Sequence, residues 1–167
     1  WQQHRIARLI VRRLFGTVTG KRLALFGFTF KADTNDTREA PSINIAKDLL
    51  EEGAQLAIYD PKAKTIQIEA DLGLSASNHP KDSGTTSKKG MTGEGIWWPT
   101  KTVTEAVQGV DAIVILTEWN EFKKIDWSTL ARYMRKPAWV FDARGVVNTS
   151  QIKQAGLKLW RVGDGAL

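Results

Sequence analysis

The chain has 167 residues, 42% of them hydrophobic, which suits one ordinary domain with a sizeable core. It contains no cysteine and only two histidines, which excludes a disulfide framework and a thiol nucleophile and argues against a metal site. The formal charge of +6 favours anionic partners without choosing between phosphate ligands, nucleic acid and acidic protein surfaces.

The sequence shows no signal for membrane insertion or export. No apolar run approaches the roughly 20 residues that cross a bilayer, and no basic segment followed by an apolar block opens the chain. We therefore expect a soluble, cytoplasmic protein. Because the sequence starts at Trp1 within a helical pattern, we also expect it to be part of a longer protein.

Apolar periodicity in the first third of the chain predicts a helix, a strand and a second helix. A helical stripe over 6–14 stops at Gly16. The compact apolar run 22–28 predicts a strand that is buried on both faces, as in parallel sheets. A second helix begins at Pro41 and ends at Gly53.

The rest of the chain continues this alternation. We expect strands at 56–59, 112–116, 138–141 and 159–162, helices at 103–109, 127–134 and 149–155, and a short edge strand at 96–99. Such alternation predicts a three-layer α/β/α fold with a mainly parallel, Rossmann-like sheet. If strand 22–28 lies between strands 56–59 and 112–116, the strand order reverses there and creates a ligand-binding crevice.

A stretch rich in glycine, serine and lysine occupies about residues 73–95. It holds too few apolar side chains to offset the entropy cost of ordering. We expect a flexible surface loop.

The segment after the first strand places cations where ligands bind in open α/β sheets. Lys31 and Arg38 lie between strand 22–28 and the helix that begins at Pro41, and a helix N-terminus offers N–H groups suited to a diphosphate. The three-glycine dinucleotide fingerprint is missing after Gly27. We therefore do not expect NAD to bind this sheet in the usual Rossmann manner.

Four ordered motifs carry a resemblance to a known family. The segment 23–43, LALFGFTFKADTNDTREAPSI, resembles the matching motif of the UDP-glucose/GDP-mannose dehydrogenase family, in its C-terminal UDP-binding domain. The segments IYDPK at 58–62, AIVILTEW at 112–119 and VFDAR at 140–144 follow in the family's order. The likeness covers nearly the whole chain outside about 73–95.

The resemblance implies a division of the chain and a set of binding residues. Residues 1–19 would be the end of a long interdomain helix with its linker, and 20–167 the UDP-sugar-binding domain. Phe30, Lys31 and Arg144 would contact the UDP-sugar, and Arg38 would reach the pyrophosphate of NAD across the domain interface. No catalytic residue and no metal site is implied within this chain. Family members commonly have glycine where Ala143 stands, so the backbone there can follow a slightly different path.

The resemblance also implies a whole enzyme with chemistry outside this chain. The parent would be a homo-oligomer that oxidises UDP-glucose to UDP-glucuronate with two NAD, through a cysteine thioester. The segments Asp36–Glu39 and Thr117–Trp119 look more like the UDP-glucose branch than the branches acting on UDP-N-acetylhexosamines or GDP-mannose, which stay open as alternatives. A stand-alone regulatory module is a further alternative. A nucleic-acid binder is disfavoured because the basic residues are dispersed.

Three proposed binding residues also have purely structural interpretations. Lys31 can be an ordinary exposed loop lysine, and Arg144 can pair with Asp142 at the surface. Arg38 can be held by an internal salt bridge to one of the neighbouring acids, Asp33, Asp36 or Glu39.

Other polar residues at strand ends are interpreted as structural. Asp60, at the end of the second predicted strand, is either the ribose-binding acid of a dinucleotide fold or a turn residue, and the following Pro61 favours the turn. Glu118 and Trp119 resemble an acid stacked on an aromatic ring, but we expect them to pack and anchor a loop.

Overall fold

The computed structural model describes residues 2–78 and 95–164. The predicted loop at about 73–95 lies for the most part outside these residues.

Helices and strands alternate along the described part of the chain, as the periodicity predicts. The helices are α1 (Gln2–Arg13), α2 (Pro41–Glu51), α3 (Thr65–Leu72), α4 (Val103–Ala106), α5 (Trp127–Ala131) and α6 (Thr149–Gln154). The strands are β1 (Arg22–Phe26), β2 (Gln55–Tyr59), β3 (Ile96–Pro99), β4 (Ala112–Ile115), β5 (Trp139–Asp142) and β6 (Lys158–Arg161). A 3-10 helix, Asn120–Lys124, follows β4.

The strands form one parallel sheet in the order β3-β2-β1-β4-β5-β6. β1 lies between β2 and β4, which meets the condition stated above for a reversal of the strand order at β1 and β4. β3 occupies an edge of the sheet, where Pro99 costs no ladder hydrogen bond to a further strand.

Two apolar cores sandwich the sheet. Leu23 and Leu25 of β1 pack with buried residues of α1, α2 and α3, while Ala24 and Phe26 face the other side, with buried residues of α4, α5 and α6. This alternation follows from the two-residue side-chain period of a strand. The arrangement confirms the predicted three-layer α/β/α fold.

The first helix belongs to one of these cores. Ala7, Leu9 and Ile10 of α1 are buried and pack in the same cluster as α2. In addition, His4 Nδ1 lies 2.5 Å from Asp48 Oδ2 on α2. Among the described residues, no helix combines the length and the apolar character that a bilayer crossing requires.

The structure differs from the sequence-based expectation at several element boundaries. β1 ends at Phe26 and not at Phe28, because Gly27 turns the chain with a φ of +92°. α3 was not predicted, and its weak apolar pattern explains why: Ile68 and Leu72 are buried, but Ile66 is 72% exposed. α4 and α5 are each shorter than predicted, with the following residues in turns.

Gly27 cannot carry a side chain in this fold. Its φ lies in the left-handed region, and a Cβ atom built on it would lie 2.4 Å from the Cβ atom of Thr117. Gly27→Ala should therefore reduce the free energy of unfolding by about 2–5 kcal/mol, the combined cost of backbone strain and overpacking. Urea denaturation measures this change.

Gly73→Ala is the matched control. Gly73 has a φ of +65° with no atom within 4 Å of a built Cβ, so it isolates the backbone term of about 1–2 kcal/mol. Equal losses for the two variants would show that the contact with Thr117 contributes nothing.

Candidate functional site

The carboxyl edge of the sheet gathers the loops that carry the predicted binding residues. Lys31 follows β1 and Arg144 follows β5, and these two strands lie on either side of β4. Neighbouring strands are about 4.8 Å apart, so the two loops leave the sheet about 10 Å from one another. Phe30 and Lys31 belong to the segment Gly27–Ala40, which we call the exit loop.

Asp60 fixes the start of the exit loop. Its Oδ2 accepts hydrogen bonds from the backbone N–H groups of Phe28 at 2.7 Å and Thr29 at 3.0 Å, and from Nε1 of Trp119 at 3.3 Å. Its Oδ1 accepts from the N–H groups of the second and third residues after it, both at 2.8 Å. These contacts support the turn interpretation of Asp60, because protein donors already engage both oxygens.

Two buried hydroxyl groups hold the same stretch of backbone from other directions. Ser42 Oγ, on α2, donates to the Phe28 carbonyl at 2.6 Å, and Thr117 Oγ1, after β4, donates to the Thr29 carbonyl at 2.9 Å. The backbone directly before Phe30 is thus bound to β2, β4 and α2 together.

Beyond this anchored stretch the side chains become exposed. The Phe30 ring is 48% exposed, which is unusual for a large aromatic side chain beside a buried strand. Lys31 is also exposed, and within residues 2–78 and 95–164 its ammonium group forms no recorded hydrogen bond or ion pair. The loop therefore presents an aromatic ring and a cation next to each other at the carboxyl edge.

Arg38 is held by an acid in its own loop. Its Nε and Nη2 atoms each donate to the Asp36 carboxylate at 3.0 Å, and its backbone N–H donates to Asp36 Oδ1. These contacts lower the pKa of Asp36 to about 2 and raise the pKa of Arg38. The internal salt bridge considered from the sequence is therefore present, although 88% of the Arg38 side chain remains exposed.

Arg38 also lines a surface cavity of about 450 Å³ between the exit loop and α3. The lining residues are Thr34, Asn35, Asp36, Thr37, Arg38 and Gln67. Gln67 ties α3 to the loop, because its Nε2 donates to the Asn35 carbonyl at 3.1 Å. Arg38 thus faces a different part of the surface from the loop after β5.

Arg144 pairs with Glu118 and not with Asp142, the partner considered from the sequence. Its Nη2 forms an ion pair with Glu118 Oε2, and only its backbone N–H contacts Asp142, at 3.1 Å. Asp142 is fully buried, and its Oδ2 accepts from the Val147 N–H at 2.9 Å and lies 3.8 Å from Arg161 Nε. Asp142 therefore shapes the loop after β5 and leaves the Arg144 side chain to Glu118.

The sequence interpretation missed these roles for Glu118 and Asp142. A carboxylate at the carboxyl end of a buried parallel strand is a usable signal, since Asp60 directly follows β2, Asp142 is the last residue of β5, and both accept backbone N–H groups of the following loop. The Glu118–Arg144 pair joins residues 26 positions apart, and no local pattern predicts it.

The residues at this edge do not fit an NAD molecule bound in the Rossmann manner. Thr117 fills the space beside Gly27, where a dinucleotide fold brings a phosphate close, and protein donors engage the candidate ribose-binding acid Asp60. Among the residues described, no group of three His, Asp or Glu side chains could hold a metal ion.

This topology defines a doubly wound α/β domain of the class that binds ligands at a switch point. The chain belongs to the UDP-glucose/GDP-mannose dehydrogenase family, and its residues 24–149 match the UDP binding domain of that family.

Named relatives agree with this membership, and a solved structure shares the fold. The chain is 38% identical to UDP-glucose 6-dehydrogenase 4 of Oryza sativa subsp. japonica and 39% identical to UDP-glucose 6-dehydrogenase 3 of Arabidopsis thaliana, each over 98% of its length. It spans about a third, 34%, of each relative. The structure of a UDP-D-ManNAc dehydrogenase from Pyrococcus horikoshii shares the fold, with a TM-score of 0.69 and 20% identity over 99% of this chain and 31% of that chain.

The Arg38–Asp36 pair generates a prediction for titration. The folded-state pKa of Asp36 is depressed, so the pair contributes stability above the unfolded value of 3.8 and loses it as pH falls through about 2. Arg38→Ala removes the largest cause, and the Asp36 midpoint should rise toward 3.8 in a carboxyl NMR titration.

Asp126 is the internal control for this titration. Its pKa is lowered by hydrogen bonds from Thr129, far from the exit loop, so the Arg38 substitution should leave it unchanged. An Asp36 midpoint that stays near 2 in the variant would contradict the assigned cause.

Proposed function

We propose that this chain is the nucleotide-sugar-binding part of an NAD-dependent UDP-glucose 6-dehydrogenase. Family membership and relatives of that name at 38–39% identity support the proposal. The whole enzyme would convert UDP-glucose to UDP-glucuronate with reduction of two NAD. This chain would bind and orient the substrate, while the chemical groups lie elsewhere in the parent.

One observation carries the proposal for the site: a hydrogen bond and an ion pair connect the two loops that hold the proposed contacts to neighbouring residues after β4. Thr117 binds the carbonyl of Thr29, two residues before Lys31, and Glu118 binds the side chain of Arg144. The residues Thr117 and Glu118 thus bridge the loops after β1 and β5 at the switch point.

The three proposed substrate contacts differ in chemistry. Lys31 offers an exposed ammonium group for a phosphate, and Phe30 offers a ring face for a base or a sugar. Arg144 offers a guanidinium group that Glu118 holds in place.

Arg38 has a separate proposed role. Since this edge does not fit NAD by itself, we propose that Arg38 reaches the pyrophosphate of an NAD held mainly by another domain of the parent. Its exposed pair with Asp36 can exchange for a phosphate at little cost, because solvent screens the attraction between exposed charges. We further propose that residues 1–19 are the end of a long interdomain helix with its linker, and that the parent is a cytoplasmic homo-oligomer.

Alanine substitutions should separate these roles. Lys31→Ala and Arg144→Ala should each weaken UDP-glucose binding by about 1–3 kcal/mol, the range for a charge-assisted hydrogen bond. Arg38→Ala should leave the affinity for UDP-glucose nearly unchanged. NMR titration of the isolated chain measures all three variants.

Lys47→Ala is the matched control, because Lys47 is an exposed lysine on α2 whose loss changes the net charge equally. If it weakens binding as much as Lys31→Ala does, the effect is one of net charge and the residue assignment is wrong.

The isolated chain should not oxidise UDP-glucose. The thioester chemistry implied for the family needs a thiolate, and the sequence contains no cysteine. The absorbance of NADH should stay at background with substrate and NAD present, and reproducible turnover by the pure chain would overturn this division of labour.

A further inference from the structure

The cations at the carboxyl edge differ in how far their charge is already neutralised. Arg144 and Glu118 form an ion pair in which the side chains are only 35% and 37% exposed, and the Glu118 Oε2 atom is shielded from solvent. Lys31, by contrast, is exposed with no ion pair recorded among residues 2–78 and 95–164. The edge thus offers a solvent-exposed cation on one loop, which interacts with the Asp36 charge without an ion-pair contact, and a neutral pair on the other.

The surroundings of the Glu118–Arg144 ion pair stabilise it against opening. The residues on both sides of Glu118 are buried and anchored, since Thr117 donates to the Thr29 carbonyl and Trp119 donates to Asp60. Removing the carboxylate from a half-buried guanidinium leaves a charge poorly compensated, which is costlier than opening an exposed pair. A ligand at this loop therefore meets the pair and not a bare arginine.

A paired guanidinium and carboxylate complement a hydroxyl group better than a phosphate. Within residues 2–78 and 95–164, the other guanidinium N–H groups of Arg144 form no hydrogen bond, and neither does Glu118 Oε1, so the pair has both donors and an acceptor to offer. A hydroxyl group can accept a hydrogen bond from the Arg144 guanidinium and donate one to the Glu118 carboxylate. A phosphate is mostly deprotonated at neutral pH, so it rarely has a proton to donate, and the carboxylate would repel it.

Building on the function proposed above, we propose that Glu118 is a specificity-determining residue. The Glu118–Arg144 pair binds a hydroxyl group of the ligand's sugar, and Lys31 carries the interaction with the phosphate charge. Glu118 thereby disfavours ligands that end in a phosphate at this loop.

The test compares UDP-glucose with UDP, which ends in a phosphate, in the wild type and in Glu118→Gln. The isosteric glutamine removes the negative charge and frees Arg144 to attract phosphate. UDP should then bind more tightly and UDP-glucose less tightly, so the affinity ratio of UDP-glucose to UDP should fall by about fivefold or more. A ratio that is unchanged or increased would overturn the proposal.

Glu51→Gln is the charge-matched control. Glu51 is exposed at the end of α2 away from the carboxyl edge, so this variant should leave the ratio as in the wild type. Chemical-shift spectra establish that each variant is folded.

The double variant Glu118→Gln/Arg144→Gln tests the same assignment without leaving an unpaired charge, and serves if Glu118→Gln alone does not fold. It should weaken UDP-glucose while leaving UDP nearly unchanged, whereas equal weakening of both would place phosphate at Arg144 and contradict the proposal. If neither ligand shifts any resonance of the wild type near Phe30 or Arg144, the proposed function itself fails, which is a different result.

Discussion

The carboxylate of Asp60 forms the hydrogen bonds on which the carboxyl edge of the sheet depends. One side chain at the end of β2 receives donors from the loop after β1, from its own turn and from the indole after β4. Hydrogen bonds to a charged acceptor contribute about 1.5–3 kcal/mol each, more than neutral ones. Because a single acceptor serves three loops, their positions are correlated, and the orientation of Phe30 and Lys31 follows from them.

Burial then distinguishes two arginine–carboxylate pairs that consist of the same kinds of charged group. Arg38 and Asp36 meet in bidentate geometry, yet solvent screens them and leaves Arg38 available for exchange. Arg144 and Glu118 are more deeply enclosed and lie next to anchored residues, so they act as one neutral, polar unit. The same residue types therefore serve different chemistry, and the surrounding surface decides which.

The sequence predicted most of the fold because the strands are continuous apolar runs and the glycine and proline signals are clear. The run at 112–116 and the stop at Gly53 are examples. The position of β1 between β2 and β4 was only a condition in the sequence analysis, because an α/β alternation does not fix the strand order, and the structure supplied it. The sequence did not predict α3, because a helix with Ile66 exposed to solvent lacks a continuous apolar stripe. The partner of Arg144 could not be predicted, since Glu118 and Asp142 are both acids near a strand end and only their burial tells them apart.

The close approach of Gly27 to Thr117 sets a fixed dimension at the switch point. There the chain after β1 contacts the chain after β4 through the Cα atom of Gly27 and the side chain of Thr117. No space remains for a larger residue in place of Gly27. The spacing between the ends of these two strands is therefore fixed by the fold, and step-by-step substitution of side chains does not change it gradually. A change in the size of the accepted ligand has to arise in the outer parts of the loops, at 30–38 and 143–148, where side chains can lengthen or shorten without moving the sheet. The domain thus keeps a fixed distance between its central strand ends, while the outer residues of the loops can vary.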